Sequence, residues 1–292
     1  MVEYHVEGGF PIKGTIKASG NKNAALPCIA ACILTNEPVI LNNIPDIEDT
    51  GVMFDVLHSL GVSVESLGNN SWKVIAEKVE KSEIPATFTK KIRGSILFAG
   101  PLVARSGKVV MSPPGGDVIG RRRVDTHFLA LQELGVNISA NGQFVFSTNK
   151  LVGADIFLDE ASVTATENAV MAAVLAEGQT IITNAASEPH VQDLCKMLIK
   201  KKKKISGVGS NILTIDGVKK LHGTEYRIGP DYMEIGSFIG LAAATKGSIT
   251  ITGVEPRDLR PIKLAFKKLG IHWEIDGDTL TVPMGQSMQV DT

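Results

Sequence analysis

The chain repeats one pattern of hydrophobic and polar positions four times. In each repeat an alanine-rich apolar stretch leads into a short alternating run, which is typical of a buried helix followed by a half-buried strand. The alternating runs are TNEPVILNN (35–43), RSGKVVMSP (105–113), AEGQTIITN (176–184) and TKGSITITG (245–253). Because these runs begin 70, 71 and 69 residues apart, the spacing predicts an internal repeat of about 70 residues.

A second, amphipathic stretch follows three of the runs and ends each time in Leu-Gly. These stretches are VMFDVLHSL (52–60), THFLALQEL (126–134) and IKLAFKKL (262–269). The leucine suits the core, and the glycine supplies the left-handed residue that ends a helix. Two short strands complete the pattern, so each unit is predicted as helix, strand, helix, strand, strand, which forms an α/β layer.

The third repeat departs from this pattern because Lys200 to Lys204 stand where leucine and glycine are expected. Adjacent like charges repel one another on a helix. A frayed, solvated helix end is the favoured interpretation, and an anion-binding patch is the alternative.

Composition narrows the class of protein. The 292 residues carry 30 Lys and Arg against 31 Asp and Glu, which argues against general nucleic-acid binding. No apolar run is long enough to span a membrane, and the first residues lack the features of a signal peptide. The sequence therefore predicts a cytoplasmic globular protein that binds neither nucleic acid nor membrane.

The three cysteines indicate a reducing compartment. Cys28 and Cys32 are four residues apart in an apolar stretch, so they are expected to share one buried helix face with no metal between them. Cys195 is the third. No metal and no cofactor is predicted.

The segment from Met111 to Phe128 carries the strongest signal for chemistry. Two prolines and two glycines predict a mobile loop, with Asp117 as its acid and Arg121 to Arg123 directly after it. Arginine binds phosphate oxygens through two parallel hydrogen bonds. A role for the loop in handling a phosphorylated ligand is favoured over a merely solvated charge run. His127 could contact a ligand or could pack on its helix.

Three helix starts carry groups that are compatible with phosphate. They are 18–23, with Lys22; 90–95, with Arg93; and 162–166, which is small and hydroxylated. If the repeats surround an axis, these ends converge. Asp49, Asp125 and Asp193 are each expected near the start of a second helix, where a structural capping role is the competing interpretation.

Four motifs then resemble one family in order along the whole chain. They are GTIKASGNKNAALP (14–27), IRGSILFAGPLVAR (92–105), PPGGDVIGRRRVDTH (113–127) and SVTATENAVMAAVLAEG (162–178). They look like those of UDP-N-acetylglucosamine 1-carboxyvinyltransferases, which are enolpyruvyl transferases of the EPSP synthase-like family. The resemblance implies the inside-out α/β barrel, an α/β fold that is built from such repeats.

The resemblance also implies a division into domains. Residues 22–228 would form a domain of three repeats that carries Asp117, and residues 1–21 with 229–292 would form part of a second. The family's next motif, with the aspartate proposed as general base, would follow Thr292. The chain is therefore expected to be C-terminally incomplete, and its partial domain could self-associate through uncovered apolar surface.

Residue roles are implied in the same way. Asp117, where most members have the cysteine that fosfomycin alkylates, would be the general acid, and Lys22 would also be catalytic. The residues expected to bind phosphoenolpyruvate and UDP-N-acetylglucosamine are Lys22, Asn23, Arg93, Arg122, Arg123, Val124, Asp125, Thr126, Glu160, Ala161, Ser162 and Val163.

The implied reaction transfers the enolpyruvyl group of phosphoenolpyruvate to the sugar 3-hydroxyl and releases phosphate, the first committed step of peptidoglycan synthesis. The alternative is a non-catalytic nucleotide-binding module that lacks the base. A nucleic-acid binder that uses Arg121 to Arg123 and Lys200 to Lys204 is the least favoured interpretation.

Overall fold

The computed structural model describes residues 3–116, 120, 123–200 and 204–290. The chain divides into two compact units, one of Lys22–Ile228 and one of Met1–Asn21 with Gly229–Thr292. Asp117, Arg121, Arg122 and the lysines 201–203 lie outside the described residues, as does the predicted fraying at that helix end.

The larger unit contains three repeats that follow β1 (Lys13–Lys17) in the chain. The first repeat comprises α1 (Lys22–Ala30), a 3-10 turn (Ala31–Leu34), β2 (Val39–Asn42), α2 (Glu48–Ser59), β3 (Ser63–Gly68) and β4 (Ser71–Ile75). The second comprises β5 (Glu83–Ile84), α3 (Ala86–Thr89), a 3-10 turn (Arg93–Phe98), α4 (Ala99–Ser106), β6 (Lys108–Met111), α5 (Asp125–Glu133), β7 (Asn137–Ser139) and β8 (Phe144–Ser147).

The third repeat comprises β9 (Asp155–Phe157), α6 (Val163–Ala173), β10 (Gln179–Thr183), α7 (Pro189–Lys200), β11 (Ile205–Ser206) and β12 (Ile212–Asp216). After it come β13 (Thr224–Arg227), α8 (Tyr232–Ala244), β14 (Ser248–Thr252), α9 (Arg260–Lys267), β15 (Glu274–Asp276) and β16 (Thr279–Val282). None of the helices in the described ranges is long and apolar enough to cross a membrane.

The strands of the described residues form four separate four-stranded sheets with one topology. Their orders are β13-β2-β4-β3, β5-β6-β8-β7, β9-β10-β12-β11 and β1-β14-β16-β15. In each sheet the first strand is parallel to its neighbour and the other pairings are antiparallel.

The repeat is therefore strand, helix, strand, helix, strand, strand, and the predicted unit was wrong by one strand. The sequence does not reveal β5 and β9 because runs of only two or three residues carry no readable alternation.

The helices lie at the centre of the larger unit and the sheets lie outside, which is the inside-out arrangement. Every residue of α1 from Ala24 to Ala30 is buried, and so is every residue of α6 from Ala165 to Ala173. The sheets bury alternate positions, as in β10 and β12. A helix that is apolar all round has to be buried, whereas a strand with one apolar face can border solvent.

Close helix packing depends on Gly100 at the start of α4. A Cβ at this position would lie 2.4 Å from the backbone oxygen of Asn168 in α6. Only glycine permits this approach, which brings the two central helices together and leaves the Gly100 N–H within 2.8 Å of the Asn168 amide oxygen.

Cys28, Cys32 and Cys195 are all buried in the core of the larger unit, which confirms the prediction made for Cys28 and Cys32. The Cys32 thiol lies 3.3 Å from the carbonyl oxygen of Cys28, as expected one helical turn apart. Asp193 corrects a prediction, because it lies in the middle of α7 and accepts a hydrogen bond from the Tyr226 hydroxyl at 3.0 Å instead of capping the helix.

Candidate active site

The three predicted helix starts of the larger unit surround one cavity of about 400 Å³. Lys22 and Asn23 line it from the first turn of α1, Arg93 from the 3-10 turn before α4, and Val163 from the first turn of α6. The other lining residues are Leu26, Glu48, Asp49, Lys91, Ile92, Gly94, Leu97, Gly116, Thr164 and Glu167.

Charges of both signs face this cavity. The Lys22 ammonium lies 3.1 Å from Asp49, which is in the first turn of α2. Lys91 and Arg93 add two further cations. Backbone N–H groups at a helix start and nearby cations together favour an anion, so the cavity suits a phosphate or carboxylate group.

The arginine-bearing loop is anchored against the second repeat. The Gly115 N–H donates to the Thr89 carbonyl at 2.9 Å, and a Cβ on Gly115 would overlap the Lys90 carbonyl oxygen at 1.8 Å. A side chain larger than hydrogen therefore cannot stand at position 115. Beyond this anchor, Asp117 and Arg122 lie outside the described residues.

The far end of the loop contacts the same repeat. Arg93 donates to the carbonyl oxygen of Arg123 at 2.7 Å, and the Arg123 guanidinium is paired with Asp125. Val124 is the residue before α5 and Asp125 opens it, whereas Arg123 itself points to solvent in part.

A further bond joins the second and third repeats. The Thr126 hydroxyl donates to Asp159 at 2.7 Å, which holds segment 123–126 beside the segment that leads into α6. In that segment Glu160 and Ala161 are exposed, and the Ser162 hydroxyl accepts from the Ala165 N–H as the cap of α6. The cavity is not lined by Thr126 or by residues 159–162, and the lining in this segment begins at Val163.

His127 is buried beneath the cavity wall and does not line the cavity, and its ring packs against the neighbouring helix α6 rather than on its own helix. Its ring contacts Asn168 at 2.9 Å and Thr164 at 3.0 Å. Burial, with the charge of Arg93 as a second cause, lowers the pKa of His127 to about 3. The imidazole is neutral at pH 7.

Glu167 is a residue of the site that sequence reasoning missed. It lines the cavity from within α6, it is 1% exposed, and its Oε1 has no hydrogen-bond partner among the described residues. Burial, and next the charge of Glu188, raise its pKa well above the ordinary value. The available signal was a lone charged residue in α6, a helix whose other residues are small, hydroxylated, amide or apolar.

The larger unit therefore defines a class, namely α/β repeat proteins with a cavity at converging helix starts that carries lysine and arginine side chains. In the described residues no group of three or more His, Cys, Asp or Glu is arranged to hold a metal ion. The sequence model of the family described as EPSP synthase (3-phosphoshikimate 1-carboxyvinyltransferase) matches residues 6–290, and the chain belongs to this family.

Two similar proteins carry a name that differs from the description of the family. The chain is 68% identical over 291 residues to a UDP-N-acetylglucosamine 1-carboxyvinyltransferase of Treponema denticola, covering all of this chain and 68% of that protein. It is 58% identical over 288 residues to a protein of the same name from Treponema pallidum, covering 99% and 68%. Both relatives are, by name, transferases.

The fold is shared with a more distant solved structure. The enolpyruvyl transferase NikO from Streptomyces tendae superimposes with a TM-score of 0.82 at 22% identity, covering 94% of this chain and 66% of that one. This likeness supports the inside-out α/β fold. The chain spans about two thirds of the length of the proteins it matches.

Proposed function

We propose that this protein transfers the enolpyruvyl group of phosphoenolpyruvate to the 3-hydroxyl of UDP-N-acetylglucosamine and releases phosphate. The observation that carries the proposal is the cavity at the helix starts, which is lined by Lys22, Asn23 and Arg93. The names of two close relatives support UDP-N-acetylglucosamine as the sugar nucleotide. Both substrates are anionic, which suits such a cavity.

The reaction divides into addition and elimination. The sugar 3-hydroxyl oxygen would bond to C2 of phosphoenolpyruvate while C3 takes a proton, and a base would remove the hydroxyl proton. Loss of a proton from C3 and breakage of the C2–O bond to phosphate would then give the enolpyruvyl ether. Asp117 is the proposed proton donor to C3.

Each proposed residue would act by position or charge. Lys22 would hold the phosphate whose bond to C2 breaks, because its ammonium faces the cavity beside a helix start. Arg93 and Arg122 would bind anionic groups of the substrates, with Asn23 beside them. Segments 122–126 and 160–163 would bind the nucleotide, a role supported by the bond from Thr126 to Asp159, the residue directly before the second segment.

The role in the cell belongs to this proposal as well. The product would be committed to peptidoglycan synthesis, and through it to cell shape and division, in the cytoplasm. The three buried free cysteines are compatible with that compartment.

Phosphate release tests the proposal against the alternative of a binding module. Purified protein is mixed with phosphoenolpyruvate with and without UDP-N-acetylglucosamine, and phosphate is measured. Release that depends on the sugar nucleotide supports the transferase. Nucleotide binding without phosphate release by this chain favours the module, and no binding of either substrate contradicts both.

A matched pair of variants locates the activity. Lys22→Gln removes a cavity ammonium, and we expect kcat/KM to fall at least about 100-fold. Lys150→Gln removes a lysine that pairs with Glu177 and does not line the cavity, so its kcat/KM should stay within about twofold of the unmodified protein. Equal effects of both changes would place the chemistry elsewhere.

Self-association stays a prediction. In the smaller unit Met233, Leu241 and Leu264 are exposed on α8 and α9. Exposed apolar surface favours association between chains where it is contiguous. Sedimentation velocity over a range of protein concentrations measures it, and a concentration-independent monomer contradicts it.

A further inference from the structure

A buried chain of hydrogen bonds runs from the central helices to the cavity wall through Asn168, His127 and Thr164. Asn168 is fully buried and His127 is 2% exposed, whereas Thr164 is half-buried and lines the cavity. The two buried residues do not line the cavity themselves. Their effect on a ligand therefore has to pass through Thr164.

Backbone groups at Asn168 decide which atoms donate and which accept along this series of hydrogen bonds. The Gly100 N–H donates to the Asn168 Oδ1 at 2.8 Å, and the Asn168 Nδ2 donates to the Ile96 carbonyl at 2.9 Å. If the Asn168 amide were rotated by 180°, its NH2 group would face the Gly100 N–H and its oxygen would face the Ile96 carbonyl oxygen, and both hydrogen bonds would be lost. Both backbone partners therefore select one orientation of the amide.

That orientation decides the tautomer of His127. The second hydrogen of the Asn168 Nδ2 points to the His127 Nδ1 at 2.9 Å, so Nδ1 has to accept and carries no proton. A neutral imidazole then holds its proton on Nε2, and the low pKa of His127 agrees with a neutral ring. The Nε2–H donates to the Thr164 hydroxyl oxygen at 3.0 Å.

The Thr164 hydroxyl is left with its own proton to donate. Among the described residues the structure shows no acceptor for that proton, and the side chain borders the cavity. We propose that Asn168 and His127 are positioning residues that commit Thr164 to donate a hydrogen bond to an acceptor oxygen of the bound ligand.

The chemistry of the acceptor follows from the cavity. A phosphate or carboxylate oxygen is the acceptor that Lys22, Lys91 and Arg93 would bring there. The inference rests on the proposed function only for the identity of that ligand, UDP-N-acetylglucosamine or phosphoenolpyruvate. The direction of the hydrogen-bond chain is a property of the free protein.

The first test reads the tautomer without a ligand. Protein labelled with ¹⁵N at histidine is studied by NMR at pH 7, and the His127 signals are assigned by their loss in His127→Phe. We expect a neutral ring with the proton on Nε2. A proton on Nδ1, or a charged ring, overturns the inference whatever the protein catalyses.

The second test compares two changes at Thr164. Thr164→Val keeps the branched shape and removes the hydroxyl, whereas Thr164→Ser keeps the hydroxyl. By calorimetry, we expect Thr164→Val to weaken binding of at least one of the two substrates about tenfold or more, with Thr164→Ser within about threefold of the unmodified protein. Binding by Thr164→Val equal to that of the unmodified protein for both substrates overturns the inference.

A double-variant cycle separates positioning from a structural effect. If His127 acts through Thr164, the pair His127→Phe and Thr164→Val should bind no more weakly than Thr164→Val alone. Additive losses contradict the relay. If the unmodified protein binds neither substrate, the proposed function fails, and the tautomer measurement by itself decides the inference.

Discussion

Glu167 is a buried acid whose protonation state links folding to pH. In the folded protein its pKa is well above the ordinary 4.5, because burial disfavours the carboxylate. As the pH rises above 4.5, the unfolded chain releases this proton and the folded chain keeps it. Glu167 therefore lowers the free energy of unfolding increasingly toward neutral and alkaline pH.

Glu167→Gln should remove this pH-dependent loss of stability. The amide has the same shape and stays neutral, so we expect a higher Tm than that of the unmodified protein at pH 8 and a difference that shrinks as the pH approaches 4.5. Thermal unfolding across that range measures it. Glu160→Gln, at an exposed position, is the control and should show no such trend. A constant offset between Glu167→Gln and the unmodified protein would mean that Glu167 is ionised in the fold.

With aspartate at position 117, we predict that the protein does not react with the thiol-directed inhibitor fosfomycin. Every cysteine of the chain is buried, and burial raises the pKa of Cys195 to about 12, so the folded protein offers no reactive thiolate. We expect no fosfomycin adduct by mass spectrometry. Asp117→Cys should gain one thiol that reacts with Ellman's reagent in the folded state and one fosfomycin adduct. An adduct on the unmodified protein would contradict this prediction.

At the scale of elements, the close contact between α4 and α6 requires that residue 100 has no side chain larger than the hydrogen of glycine. Because a Cβ at Gly100 would lie 2.4 Å from the Asn168 backbone oxygen, Gly100→Ala has to separate the two helices. It should also displace the amide that orients His127. We expect a loss of about 1–3 kcal/mol or more in the free energy of unfolding.

Gly51→Ala is the matched control for that change. Gly51 is exposed within α2, and a Cβ there would meet nothing within 4 Å. Because glycine lowers helix stability, this substitution should raise the free energy of unfolding by about 0.5–1 kcal/mol. Urea denaturation of both variants measures the difference. Similar values for the two would show that the helices adjust without cost.

At the scale of the molecule, two strands are exchanged between sheets. β1 precedes α1 in the chain but pairs with β14, while β13 precedes α8 but pairs with β2. The first sheet of the larger unit is therefore completed by the last strand of that unit. Glu37 secures this closure, because its carboxylate accepts from the Gly223 N–H at 2.9 Å and pairs with Lys220 at 2.9 Å.

The contacts of Glu37 with Gly223 and Lys220, which hold β13 beside β2, should stabilise the larger unit less at acidic pH. The Gly223 N–H bond, with Lys220 next, lowers the pKa of Glu37 from 4.5 to about 2. Its contribution is complete above pH 4.5 and is lost as the pH falls through about 2. Glu37→Gln should therefore lower Tm at pH 7 and match the unmodified protein near pH 2. Glu65→Gln, at an exposed ion pair with Lys73, should leave Tm nearly unchanged at both.

The sequence by itself determined the repeat, most of its helices and strands, the burial of Cys28 and Cys32 and the three helix starts that line the cavity. These features are local, because they depend on hydrophobic period, turn residues and charge within one repeat. The motifs around Lys22, Arg93 and Ser162 were likewise readable along the chain, although the roles of these residues stay predictions.

Only the tertiary structure decided the features that depend on partners far apart in the chain. The pairing of β1 with β14 and of β13 with β2 is not encoded in the local pattern of either strand, and before the structure only the family resemblance grouped residues 1–21 with 229–292. The neutral state of Glu167 depends on burial by several elements. The tautomer of His127 depends on Asn168, 41 residues away, and on backbone groups of the second repeat. Burial and hydrogen-bond direction arise from packing, and spacing along the chain does not encode them.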